Sequence, residues 1–151
     1  MSPRVPTCRF VLAGLVFLAA GAAVSLLPSD YAIDIFVRDE YFVLPIAHAA
    51  WFAASLCGVL ALLRGLIGRA CGTTHNSVCE KLHFWFSVGG LCTIVGSMFL
   101  AALRAQQGDS STMTTLFSFA LGGVLAFAAG QLILACTAIY GLLRVFRRAM
   151  T

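Results

Sequence analysis

The chain has 151 residues, of which 60% are hydrophobic and only 11% charged, and its mean hydropathy is +0.94. A soluble domain carries about 25% charged residues to cover its surface, so this composition excludes one and makes lipid the solvent of most of the exterior. The length allows one compact domain. The formal net charge of +4 comes without a basic groove lined by stacking aromatics, which argues against a nucleic-acid partner.

Taken in chain order, four apolar runs are long enough to cross a hydrocarbon core of about 30 Å, which takes roughly 20 helical residues. They are Phe10–Leu27, Tyr41–Leu66, Leu82–Leu103 and Met113–Val145. Lipid leaves unpaired backbone groups without partners, and the runs do not alternate as barrel strands would, so each is predicted to be a helix. The expected fold class is all-α, a single four-helix bundle integral to the membrane. The first run has one alternative: Arg4 and Arg9 followed by LVFLAAGAA also suit a cleavable signal peptide. Its length beyond an ordinary signal core, and the unbalanced three-helix remainder, favour a retained helix. Between the first two runs, Leu27-Pro28-Ser29-Asp30 supplies a helix stop and turn chemistry. The segment Ala105–Thr112 offers Ser or Thr caps to the fourth helix.

Charge gives a topology. With the N-terminus cytoplasmic, Arg4, Arg9, Arg64, Arg69, Lys81, Arg144, Arg147 and Arg148 fall inside, against Arg38 and Arg104 outside. The positive-inside rule favours that arrangement, with both termini cytoplasmic in what is expected to be a bacterial inner (plasma) membrane. The acids partition the other way, since Asp30, Asp34, Asp39, Glu40 and Asp109 lie outside and Glu80 inside. Cytoplasmic or membrane placement keeps the six cysteines from forming a disulfide framework. Cys71, His75 and Cys79 make a C-x3-H-x3-C pattern, but the spacing is not a standard zinc one and a fourth ligand is missing. They read as loop residues. Glycines recur within the runs, and such small residues let helices approach closely in lipid.

The residues from Asp34 to His48 read DIFVRDEYFVLPIAH. This segment resembles the haem-copper oxidase subunit I stretch DVYLHDTYFVVAHFH, with Asp34, Asp39, Tyr41, Phe42, Val43 and His48 in register. Further on, Gly68-Arg69, then Glu80-Lys81-Leu82-His83-Phe84-Trp85, then Gly90 resemble that family's TGR turn, KIHFW motif and following glycine at the same spacing. The likeness is good over Asp34–Leu103, and the helix count extends it to the family's last four helices. In the family the first segment enters the membrane from the outer side, where charge counting independently places Asp39.

The resemblance implies specific chemistry and specific losses. The family's two histidines at i and i+2 lie about 200° apart around the helix and serve two haems. The oxygen-site ligand position is Ile46 here, whereas the low-spin haem ligand position is His48. The family's magnesium-binding histidine is Arg38, although the adjacent carboxylate Asp39 remains as a metal-ligand candidate. FFPMHF becomes Val95-Gly96-Ser97-Met98-Phe99, and the copper ligands belong to helices that this chain does not contain. No catalytic residue for dioxygen reduction is therefore expected.

His48 carries the functional expectation. An intramembrane histidine reads either as a packing residue bonded to a neighbouring hydroxyl or carbonyl, or, given the register, as an axial ligand of a low-spin haem. Counted from Tyr41, it lies seven residues into its helix, about 10 Å deep. His83 would then be too far away to ligate the same iron. Met98 is a second-ligand candidate, although methionine in a span is more often core filler. His48 of a second copy, in a homodimer, is the preferred one. His83, Trp85 and Lys81 read as an interfacial anchor. Three functions follow: a haem-binding respiratory electron-transfer protein, alone or with oxidase subunits; a structural or assembly protein that keeps the packing without a cofactor; and a small transporter. The last is weakest, because paired polar relays are not evident within the spans.

Overall fold

A computed structural model describes residues 5–26, 32–37, 40–71, 77–106 and 112–150. Within them four helices dominate: α1 (Val5–Ser25), α2 (Ile46–Cys71), α3 (Ser77–Gln106) and α4 (Met113–Ala149). All four are long and apolar enough to span a membrane. Large apolar side chains such as Leu12, Phe52, Leu62, Phe117 and Leu125 face outward, which is stable only against lipid.

The second helix begins later than the sequence suggests. Residues Glu40–Pro45 form strand β2, antiparallel to β1 (Ala32–Val37), with Val37 opposite Glu40 and Ala32 opposite Pro45. Pro45 explains the difference. In a helix starting at Tyr41, its missing N–H would break a backbone bond, and its ring drives Leu44 toward the extended region. At the strand–helix junction neither cost arises, and the β-branched and aromatic residues on both sides suit a ladder. The hairpin packs against the start of α2 and against α3.

The helices pair closely as α1 with α2 and α3 with α4. In lipid no hydrophobic force drives such pairs together, so they depend on van der Waals contact and small residues. A Cβ added at Gly90 would lie 2.6 Å from the carbonyl oxygen of Gly123, so α3 and α4 meet backbone to backbone. In the other pair Gly14 lies against Ala54 and Cys57, and Gly21 against Trp51 and Ala47. Larger side chains join the pairs: Phe10 of α1, Leu60 and Ala61 of α2, Phe84 of α3 and Leu134 of α4 form one cluster.

Several hydroxyls are satisfied within their own helix, the inexpensive solution in a membrane. Ser55, Thr93 and Ser118 donate to carbonyls four residues back, and Ser97 and Thr137 to carbonyls three residues back. The expected hydroxyl cap of α4 is not formed. Thr112 has helical φ and ψ of −93° and −6°, its side chain makes no cap bond, and its carbonyl already accepts from Leu116. Non-helical backbone is what brings a capping oxygen within reach, and Thr112 lacks it. Spanning 37 residues, α4 is about 55 Å long at 1.5 Å per residue, longer than a hydrocarbon core. Its last turn carries Arg147 and Arg148, a favourable sign for a helix C-terminus.

Candidate functional site

With α2 starting at Ile46, His48 stands in the first turn, about 3 Å along the helix rather than 10 Å. Ile46 is 1% exposed and opens a buried face continued by Ala50, Ala53 and Cys57. His48, about 200° further round, is exposed on the outside of the bundle. Its ring lies against Trp51, with centroids 5.2 Å apart and planes at 60°. The two positions that correspond to the paired histidines of the resemblance thus face opposite ways, Ile46 inward and His48 outward.

The other expected ligands are not gathered around His48. Met98 is half-buried on α3, eight residues before that helix ends. His48 is two residues into α2, so Met98 lies about 9 Å deeper, measured from those two helix ends. Asp39, Arg38 and His75 lie outside the described residues, as does the side chain of Cys71. Among the described residues no group of three or more His, Cys, Asp or Glu side chains is placed to hold a metal ion.

A macrocycle needs open space beside the imidazole. Behind His48 the α1–α2 seam is closed by Gly21, Ala47 and Trp51, so among the described residues that space lies on the outer face. Among the described residues His48 is the one exposed imidazole, and such a ring offers at most half of an axial pair, the second ligand having to come from elsewhere.

At the other end of the bundle a polar cluster forms that sequence reading missed. Arg64 of α2 donates from Nη2 to Oε1 of Glu80 on α3 at 2.7 Å, and the two side chains are only 11% and 15% exposed. One turn further along α3, His83 is 1% exposed, and both ring nitrogens are buried without a hydrogen-bond partner. Its ring packs on Phe10 of α1 at 5.1 Å. Next comes Ser87, fully buried, whose Oγ accepts a bond from Nε2 of Gln131 on α4 at 3.1 Å. Gly130 makes this crossing tight, since a Cβ there would sit 2.6 Å from Ser87 Oγ.

The interfacial anchor therefore splits. Trp85 and Lys81 point outward as expected, whereas His83 faces the core. The signal was in the spacing. Glu80, His83 and Ser87 at i, i+3 and i+7 share one helical face, and Glu80 stands one helix away from the arginine that ends an otherwise apolar run. Each buried polar atom left without a partner costs about 1–3 kcal/mol, so His83 is an expensive choice for packing alone.

Comparison with known proteins gives one distant likeness. The chain is 27% identical over 121 residues to cytochrome c oxidase subunit 1 of Cereibacter sphaeroides, a match covering 76% of this chain and 21% of that protein. The chain thus spans about a fifth of the relative's length. No family model matches, and no solved structure matches. What these observations establish together is a membrane-spanning helical bundle with distant similarity to cytochrome c oxidase subunit 1.

Proposed function

We propose that this chain is a subunit-I-like membrane protein of a respiratory chain that binds a low-spin haem through His48, without an oxygen-reducing centre of its own. The observation that carries this reading is the opposed placement of Ile46 and His48. The position lacking a ligand is packed inside the bundle, and the position keeping an imidazole is open to a partner. His48 would hold the iron at the outer face, with His48 of a second copy as the other axial ligand and Met98 as the less favoured candidate. When bound, the haem would supply one-electron transfer. The protein's part is to orient the imidazole, with Trp51 alongside as a flat apolar wall and the closed α1–α2 seam keeping water from behind. Asp39 is proposed as a weaker metal ligand.

The orientation follows the charges, with Arg64, Arg69, Lys81, Arg144, Arg147 and Arg148 at the cytoplasmic end and His48 near the opposite face. In this reading the chain belongs to a bacterial inner membrane, either as a homodimer or beside oxidase subunits.

A reduced-minus-oxidised visible spectrum of protein purified after haem-replete expression tests the reading. Low-spin haem bands present in the wild type and absent in His48→Ala are expected. A colourless, folded wild-type protein would defeat the haem assignment and leave the structural or assembly role, in which the close-packed seams are the whole of what has been kept.

A further inference from the structure

We propose that His83 is the centre of an internal water and proton site, entered from the end of the bundle that carries the Arg64–Glu80 pair. The inference stands apart from the haem reading, because it concerns the other end of the bundle and different residues.

A neutral imidazole always presents one N–H donor and one acceptor nitrogen, and an imidazolium presents two donors. Both nitrogens of His83 are buried, and neither has a protein partner. Internal water is the usual solution for such atoms, and a buried water typically makes about three hydrogen bonds to polar groups around it. Polar side chains stand on the turns to either side of the ring. Glu80, His83 and Ser87 occupy one face of α3 at successive turns, and Gln131 of α4 continues the line through its bond to Ser87. The Ser87 hydroxyl accepts from Gln131 and retains its own proton to donate.

The line reaches the outside at one end. Arg64 and Glu80 keep 11% and 15% of their side chains exposed, whereas His83 and Ser87 keep 1% and none. A polar path thus runs from a paired, partly open mouth to a closed interior. The charged group acting on the ring is Arg64 from α2, while Glu80 stands one turn away on α3 in its pair with Arg64, and Cys79 is half-buried near Arg64. From α1 the ring meets Phe10, and from α4 the same seam presents Gly130 and Gln131. Ionisable side chains within a span ordinarily mark such paths, and here the ion pair and the imidazole lie on two consecutive turns of α3.

The step is reversible protonation. A proton carried by water forms an N–H bond at the unprotonated ring nitrogen and leaves a neutral water behind, and release is the reverse, so no other reactant is consumed. Arg64 and Glu80 remain paired throughout and hold the mouth polar.

The test uses the full chain in lipid bilayers with nitrogen-15 histidine and ordinary water as the probe. Magnetisation should pass from water to the ring nitrogens of His83, and their resonances should move as pH is lowered. The signal is assigned by its loss in His83→Phe. If that variant does not fold, the pair His48→Ala and His75→Ala leaves His83 as the sole histidine, since the chain has three. Exchange of the ring proton into heavy water should slow several-fold in Glu80→Gln. A His83 ring with no water transfer and resonances unmoved by pH overturns the site, and exchange unchanged in Glu80→Gln overturns the entrance.

Discussion

His48 and His83 sit on consecutive helices near opposite ends of the bundle, and the same side chain meets opposite surroundings. His48 follows a buried Ile46 by two residues, which turns it to the outer face beside Trp51. His83 follows Glu80 by three and precedes Ser87 by four, which turns it into the seam shared by all four helices. Phe10 near the start of α1 covers His83, and Gly21 near its end receives Trp51, so the two sites are about 16 Å apart along α1. Helix phase, rather than residue type or nearness to a helix end, decides which imidazole is bare and which is enclosed.

The contrast can be broken most forcefully at the buried end. Arg64→Ala removes the partner of a nearly buried carboxylate and is expected to cost about 3 kcal/mol, read by unfolding in detergent. Replacing Arg64 and Glu80 together by methionine should restore most of that loss, because a buried pair exchanged for apolar residues of similar size is often neutral. A double variant as unstable as the single one would show that the pair is not the cause.

Next in size is the glycine seam. Gly90→Val must push α3 away from the backbone of α4 and should cost about 1–3 kcal/mol. Gly96→Val on the same helix, where an added Cβ meets nothing within 4 Å, should change the same unfolding midpoint little. Equal losses in the two variants would mean that helix propensity, not the α3–α4 approach, governs both.

The smallest stability effect belongs to the exposed imidazole. His48→Ala should alter stability by no more than about 0.5 kcal/mol, as for other exposed positions, while abolishing any haem absorbance. A large loss of stability in haem-free His48→Ala protein would show that the ring is held in a contact within the fold.

Much of the architecture was legible from composition and run length alone. The four spans follow from the energetic need of backbone groups in lipid to pair within their own segment, which is a local requirement. The hairpin at Ala32–Val37 and Glu40–Pro45 was missed because an apolar run that contains Pro45 still looks helical to a hydropathy count. Motif register drew attention to His48, and it could not say that the ring would face outward, since that depends on which face of α2 meets α1. His83 was read as an interface residue because it stands between basic Lys81 and aromatic Trp85, residue types that anchor at the headgroup level, although the i, i+3, i+7 spacing from Glu80 to Ser87 carried the contrary signal.

By itself, then, the sequence determined that the chain lies in a membrane, how many times it can cross, and where its charge is concentrated. These properties depend on residues summed over a segment, and summation needs no partner. Only the tertiary structure decided that Arg64 meets Glu80, that Gln131 reaches Ser87 and that His83 is enclosed beneath Phe10. Each of those contacts joins different helices, and whether an imidazole is solvated, paired or stranded depends on the rotation of one helix against its neighbours.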